Sequence, residues 1–89
     1  MIHIEDEEMG ISYQDAGPWR SYHLSASGKN LEECLADAHI FEIDQDGGEL
    51  GDFKLGDAPG EIFKRGVQMI ERELIKEFNE RVKESEATK

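Results

Sequence analysis

The sequence has little positive charge, a single cysteine, two prolines and no long hydrophobic run. One Cys cannot form an internal disulfide, which is typical of proteins from a reducing cytoplasm. No apolar segment approaches the ~20 residues that span a bilayer. The N-terminus is acidic at Glu5–Glu8 and lacks the basic and apolar regions of a secretory signal. The sequence therefore predicts a cytoplasmic protein that does not associate with membranes.

The length of 89 residues and the hydrophobic content of 37% predict one domain, residues 1–89, with a small core. The polar segment 84–89 is expected to fray.

The excess of negative over positive charge lies entirely in the first two thirds of the chain. Residues 1–58 contain fourteen acidic and three basic side chains, a net charge of −11, whereas residues 59–89 contain seven of each. Such a field disfavours direct binding to nucleic acid or anionic lipid and favours a basic partner. Acidic excess that serves only solubility is an equally open interpretation.

Two helices are predicted from the spacing of apolar residues. The shorter helix begins after Asn30, which with Glu33 resembles a capping box, and it continues to Ala38. The longer helix is predicted to begin after Asp57 as N-cap and to continue to Lys83. Its apolar stripe, predicted to face the core, consists of Phe63, Val67, Ile70, Leu74 and Phe78, and it is widened by Ile62, Met69, Ile75 and Val82.

Alternating polar and apolar residues predict four strands in two antiparallel hairpins. The first hairpin joins Met9–Tyr13 to Tyr22–Ala26 through a turn at Asp15–Pro18. The second joins Ile40–Asp44 to Leu50–Leu55 through a turn containing Gly47 and Gly48. Ile2–Glu5 is a candidate extra edge strand.

The order ββαββα predicts an α+β fold, in which a small antiparallel sheet carries the short and the long helix on one face. The other face is expected to be mostly negative, with Glu42, Asp44, Asp52 and Lys54 on it.

The sequence gives little support for catalysis or for the binding of a cofactor or a metal ion. The segment Asp44–Glu49 resembles a calcium loop in composition, but no register fits an EF-hand, so a hairpin turn is the better interpretation and a loose cation site stays open. Cys34 lies on an apolar helix stripe, where a thiol is unreactive, and nothing orients a dyad with His39. The chain is therefore predicted not to be an enzyme, and to bind neither cofactor nor metal.

Two functional hypotheses follow. The first is a small acidic inhibitor that imitates nucleic acid and blocks the cationic groove of a CRISPR effector or a restriction nuclease. Same-face side chains on a strand lie ~6.6 Å apart, close to the phosphate spacing along one strand. In size and charge the chain resembles phage DNA mimics, including anti-CRISPR proteins, which implies action in a host cytoplasm.

The second hypothesis is an interaction module, such as an antitoxin, adaptor or small subunit, that binds a basic partner or forms a homodimer through the long helix.

The residues predicted to contact the partner are acidic side chains of the N-terminal portion and one aromatic. They are Glu5, Asp6, Glu7, Glu8, Trp19, Glu42, Asp44, Asp46, Glu49 and Asp52. Trp19 is included because tryptophan is frequent at interface hot spots; packing against the end of the long helix is the alternative.

Overall fold

The computed structural model describes residues 1–13 and 20–87 of the chain. The predicted α+β fold with ββαββα order is confirmed. In chain order the elements are β1 (Ile2–Tyr13), β2 (Arg20–Gly28), α1 (Leu31–Asp37), β3 (His39–Asp44), β4 (Glu49–Lys54), a 3-10 turn (Leu55–Asp57) and α2 (Gly60–Ala87). The predicted turn at Asp15–Pro18, and Trp19, lie outside the described residues.

The four strands form one antiparallel sheet in the order β1-β2-β3-β4. Ile4 pairs with Ala26, Leu24 pairs with Ile40, and Ile40 pairs with Phe53. Paired side chains share a face of the sheet, so these residues define the face that packs against the helices, here called the covered face. The opposite face is called the open face.

Strand β1 is longer than predicted, because Ile2–Glu5 is its first part rather than a separate edge strand. Two register shifts interrupt its pairing with β2, one between Ile4 and Glu7 and one between Glu8 and Ser12. The φ angle is +45° at Asp6 and +74° at Gly10. A β-bulge accommodates an extra residue and changes the face to which the following side chains point. The two bulges of β1 therefore allow Ile2, Ile4 and Met9 all to be buried.

Helix α1 begins as predicted. The Asn30 side chain accepts a hydrogen bond from the Glu33 N–H at 2.9 Å, and the Glu33 carboxylate reaches back to the Lys29 N–H at 3.4 Å. These contacts satisfy donors that the first turn of a helix leaves free. The helix buries Cys34 completely and returns the chain to β3.

Helix α2 packs on the sheet through one side of the predicted apolar stripe, and the other side of the stripe is exposed. Ile62, Met69 and Ile70 are buried, whereas Phe63 is 40% and Phe78 is 66% exposed. Asp57 is not the N-cap either, because it ends the 3-10 turn and the helix begins at Gly60. α2 continues through Ala87, into the segment 84–89 that was predicted to fray.

Two polar contacts connect α2 to β1, one made by Arg65 and the other by the N-terminus. The Arg65 Nε donates a hydrogen bond to the Met9 carbonyl at 2.9 Å, beside the bulge at Gly10. The α-amino group of Met1 donates to Glu77 Oε1 at 2.9 Å, and Arg81 lies 2.6 Å from the same oxygen. Both cations, the ammonium first, hold the pKa of Glu77 below its ordinary value.

Candidate protein-binding face

The open face of the sheet has an apolar centre. On β2, Tyr22, Leu24 and Ala26 are buried on the covered face, so the residues between them point to the open face. On β3 the same alternation places Phe41 and Ile43 on the open face, because Ile40 is buried on the covered one. Both side chains are half-buried. The centre of the open face is therefore apolar, although neither α1 nor α2 packs on it.

Carboxylates border this centre on both edges of the sheet. One row across the four strands runs from Glu8 to His23, Phe41 and Asp52, as the pairing shows. Neighbouring strands lie about 4.8 Å apart, so the backbone positions of Glu8 and Asp52 are separated by roughly 14 Å. In the next row Ile43 pairs with Glu49. Both acids on β4 are exposed.

A shallow depression of about 380 Å3 lies over the centre of the open face. Its apolar side chains are Phe41 and Ile43, and its carboxylates are those of Glu5, Asp6 and Glu49. An apolar floor with an acidic rim fits a side chain or segment that combines apolar atoms with positive charge.

The bulge between Ile4 and Glu7 of β1 directs the Asp6 side chain toward this depression. The Asp6 N–H donates a hydrogen bond to Ser25 Oγ at 2.9 Å, and the Asp6 carboxylate lies 3.2 Å from His23 Nδ1. A positive φ is uncommon for a residue with a side chain, although Asp tolerates it better than most. The contacts with Ser25 and His23 hold Asp6 in this conformation.

The structure brings together about half of the predicted contact residues. Those on the open face or lining its depression are Glu5, Asp6, Glu8, Glu49 and Asp52. Glu7 pairs with Leu24 and therefore belongs to the covered face at the sheet edge. Asp46 is exposed in the turn between β3 and β4.

The predicted position of Glu42 and Asp44 beside Asp52 on the open face is wrong. Asp52 is opposite Phe41, while Glu42 is opposite Gly51 and Tyr22. Glu42 therefore lies on the covered side, where its carboxylate is 3.6 Å from Arg20 Nη1. The reason is that β3 carries apolar side chains on both faces, so alternation alone did not show which face was covered.

Asp44 has a structural role in the β3–β4 turn. Its Oδ1 accepts hydrogen bonds from the N–H groups of Asp46, at 2.9 Å, and Gly48, at 2.8 Å. Gly47 lies within the turn with a φ of +87°, which glycine adopts at little cost. The hairpin turn predicted for this segment is confirmed, and Asp44 closes it.

Replacing Asp44 with alanine is expected to lower the free energy of unfolding by about 1–2 kcal/mol, because two backbone N–H groups lose a charged acceptor. Denaturant unfolding measures this change. Asp46→Ala, which removes a neighbouring carboxylate of the same turn, is the control and is expected to change the free energy by less than about 0.5 kcal/mol. Equal effects of the two substitutions would contradict the assigned role.

The residues considered for metal or thiol chemistry lie apart. Cys34 is buried beneath the covered face, whereas His39 lies on the open face opposite Ser25 and Lys54. Burial raises the pKa of the Cys34 thiol, and the nearby Glu33 and Asp37 raise it further. Among residues 1–13 and 20–87, no group of three or more His, Cys, Asp or Glu is arranged to hold a metal ion.

The Cys34 thiol is expected to resist alkylation in the folded protein. A protonated, buried thiol is a poor nucleophile, so labelling by iodoacetamide at neutral pH should be at least roughly 100-fold slower than in denaturant, as mass spectrometry can measure. Labelling at the same rate in both conditions would show that Cys34 is accessible.

Comparison with protein-family models, curated proteins and solved structures finds no match to this chain.

In the described part of the chain, no helix has both the length and the apolar character needed to cross a membrane.

The residues that sequence reasoning missed are Phe41, Ile43 and His23. Three large apolar residues on one strand, Ile40, Phe41 and Ile43, cannot all face one side of a sheet. That pattern is the available signal for an apolar open face.

Proposed function

We propose that this protein is a non-enzymatic inhibitor that docks its open sheet face into the cationic, nucleic-acid-binding groove of a partner protein. A CRISPR effector or a restriction nuclease is the proposed class of target, and the protein would then be a DNA mimic of the kind that phages encode. The observation that carries the proposal is the pair of acidic edges on either side of the open face.

The spacing of these edges supports mimicry of a nucleic-acid groove. Glu8 on β1 and Asp52 on β4 stand three strands apart, roughly 14 Å by strand spacing. The major groove of B-DNA, with a row of phosphates on each side, is ≈ 12 Å wide. A protein surface built to hold both phosphate rows would therefore encounter carboxylates at a similar separation.

The apolar floor between the edges supports a protein partner rather than a simple cation. Phe41 and Ile43 offer area for an aromatic, aliphatic or arginine side chain of the target, since such residues dominate binding energy at interfaces. The carboxylates then steer the approach of a basic surface and select against acidic ones.

The proposal is tested by competition. Purified guide-RNA effectors and restriction nucleases are incubated with labelled DNA, and fluorescence anisotropy follows release of the DNA as the protein is added. We expect displacement from the target enzyme, with loss of cleavage. An enzyme that binds the protein yet retains its DNA and its activity would contradict the proposed mimicry.

A further inference from the structure

Helix α2 carries a second apolar surface, on the side that faces away from the sheet. Ile75 is 60% exposed, Phe78 66% and Val82 40%. This group of three residues is called the outer stripe. A monomer gains nothing from large apolar side chains in water, and such contiguous exposure marks an interaction site.

The outer stripe is not a continuation of the packed face of α2. Each residue of an α-helix advances about 100° around the axis. With this angle, the outer stripe lies on the side of α2 roughly opposite to Ile62, Met69 and Ile70, which are buried against the sheet. No bending of α2 toward its own sheet would therefore cover the stripe.

The end of α2 projects from the body of the molecule. Its 28 residues span about 42 Å, and the molecule measures 58 × 22 × 19 Å. Residues 78–83 are all exposed. An isolated helical end is marginal in water, so a partner along this segment would stabilise it.

The distribution of charge selects a second copy of this chain as that partner. Two copies repel each other through residues 1–58, each with a net charge of −11, but not through residues 59–89, whose charge is zero. A basic protein would be drawn to the acidic sheet instead. The neutral segment that carries the outer stripe is thus a surface where two copies can meet without the repulsion between the acidic portions.

We propose that two copies pair antiparallel through the outer stripe. The stripe is nearly symmetric about Phe78, so antiparallel pairing sets Ile75 of one copy against Val82 of the other and brings the two Phe78 side chains together. The arrangement keeps the two acidic bodies at opposite ends of the pair, whereas parallel pairing would place them side by side.

The pairing is tested by sedimentation equilibrium over roughly 10 µM to 1 mM protein. The stripe is short, and interfaces below ≈ 1,200 Å² are generally weak, so we expect a monomer–dimer equilibrium within this range. Phe78→Glu should weaken the dimer at least roughly tenfold, since it places a charge in the apolar contact. Leu50→Glu, at a residue 49% exposed on β4, is the matched control and should leave dimerisation unchanged.

The direction of pairing is tested by disulfide formation between variants. A mixture of Ile75→Cys and Val82→Cys proteins should form the mixed disulfide, while each variant alone should form little. The buried Cys34 stays in place in both. A monomer at every concentration, a dimer unaffected by Phe78→Glu, or efficient disulfides within each single variant would each overturn the antiparallel dimer. Because these measurements use the protein alone, their failure would leave the proposed inhibitor function standing.

Discussion

Gly28→Ala is expected to destabilise the fold by about 3 kcal/mol, because the end of β2 has no room for a side chain. A Cβ at this position would lie 2.8 Å from the backbone nitrogen of Cys34 and 2.8 Å from Glu33 Cβ. Both atoms belong to α1, whose first turn is held by the Asn30 cap. To relieve these two close contacts, α1 would have to move away from the sheet, and this movement would open the packing around Cys34.

The matched control is Gly51→Ala in β4, where an added Cβ meets nothing within 4 Å. That substitution should be neutral or stabilise by up to about 0.5–1 kcal/mol, since alanine restricts the unfolded chain. Thermal unfolding followed by circular dichroism should show a melting temperature lower by roughly 12–24 °C for Gly28→Ala alone. Equal melting temperatures for the two variants would mean that α1 does not pack on β2 as closely as described.

Charge reversal on the open face is expected to have the largest effect on binding. The double substitution Glu49→Lys with Asp52→Lys replaces two exposed carboxylates on β4, one of which lines the depression. Like charges opposed across an interface cost several kcal/mol, so affinity for the proposed target should fall at least roughly 100-fold. Calorimetry gives the dissociation constants.

The control for this variant is Glu71→Lys with Glu80→Lys, which makes the same change in net charge at exposed positions of α2. It should weaken binding by less than roughly fivefold, through the long-range field alone. Both variants should unfold at nearly the parent temperature, because all four residues are exposed. Equal losses of affinity in the two variants would assign the effect to net charge rather than to the open face.

Local signals in the sequence were sufficient for most of the fold. Alternation placed Tyr22, Leu24 and Ala26 on one buried face, and the Asn30–Glu33 pair marked the start of α1; the structure has both features. These signals are reliable because each depends on contacts within a few residues.

The face of α2 that packs on the sheet could not be read from spacing. Its large apolar residues cover more than one side of the helix, and the stripe through Phe63 and Phe78 fits the helical period as well as the buried set does. Tertiary contacts determine which side packs, among them the bond from Arg65 to the Met9 carbonyl and the close approach of Leu55 to Gly66. The large apolar residues of α2 that remain exposed are Phe63 and those of the outer stripe.

The composition of the candidate site was predicted better than its geometry. The acidic segments on β1 and β4 were identified from charge, but bulges at Asp6 and near Leu50 decide which carboxylates reach the open face. A bulge adds one residue to the count and exchanges the faces beyond it, and no pattern in the sequence marks these two. The wrong placement of Glu42 and Asp44 has another cause, since β3 pairs with β2 without a bulge and carries apolar side chains on both of its faces.

The central claim is that the open face binds through charge, and the dependence of affinity on salt tests it most directly. Once the competition assay has identified a target, dissociation constants are measured by calorimetry at several salt concentrations for the parent and for Glu49→Lys with Asp52→Lys. The account predicts that parent affinity falls at least roughly tenfold as salt rises about fourfold from low ionic strength, and that the variant shows a much flatter dependence. Affinity of the parent that is constant over the same range, and lost instead on Phe78→Glu, would contradict the account.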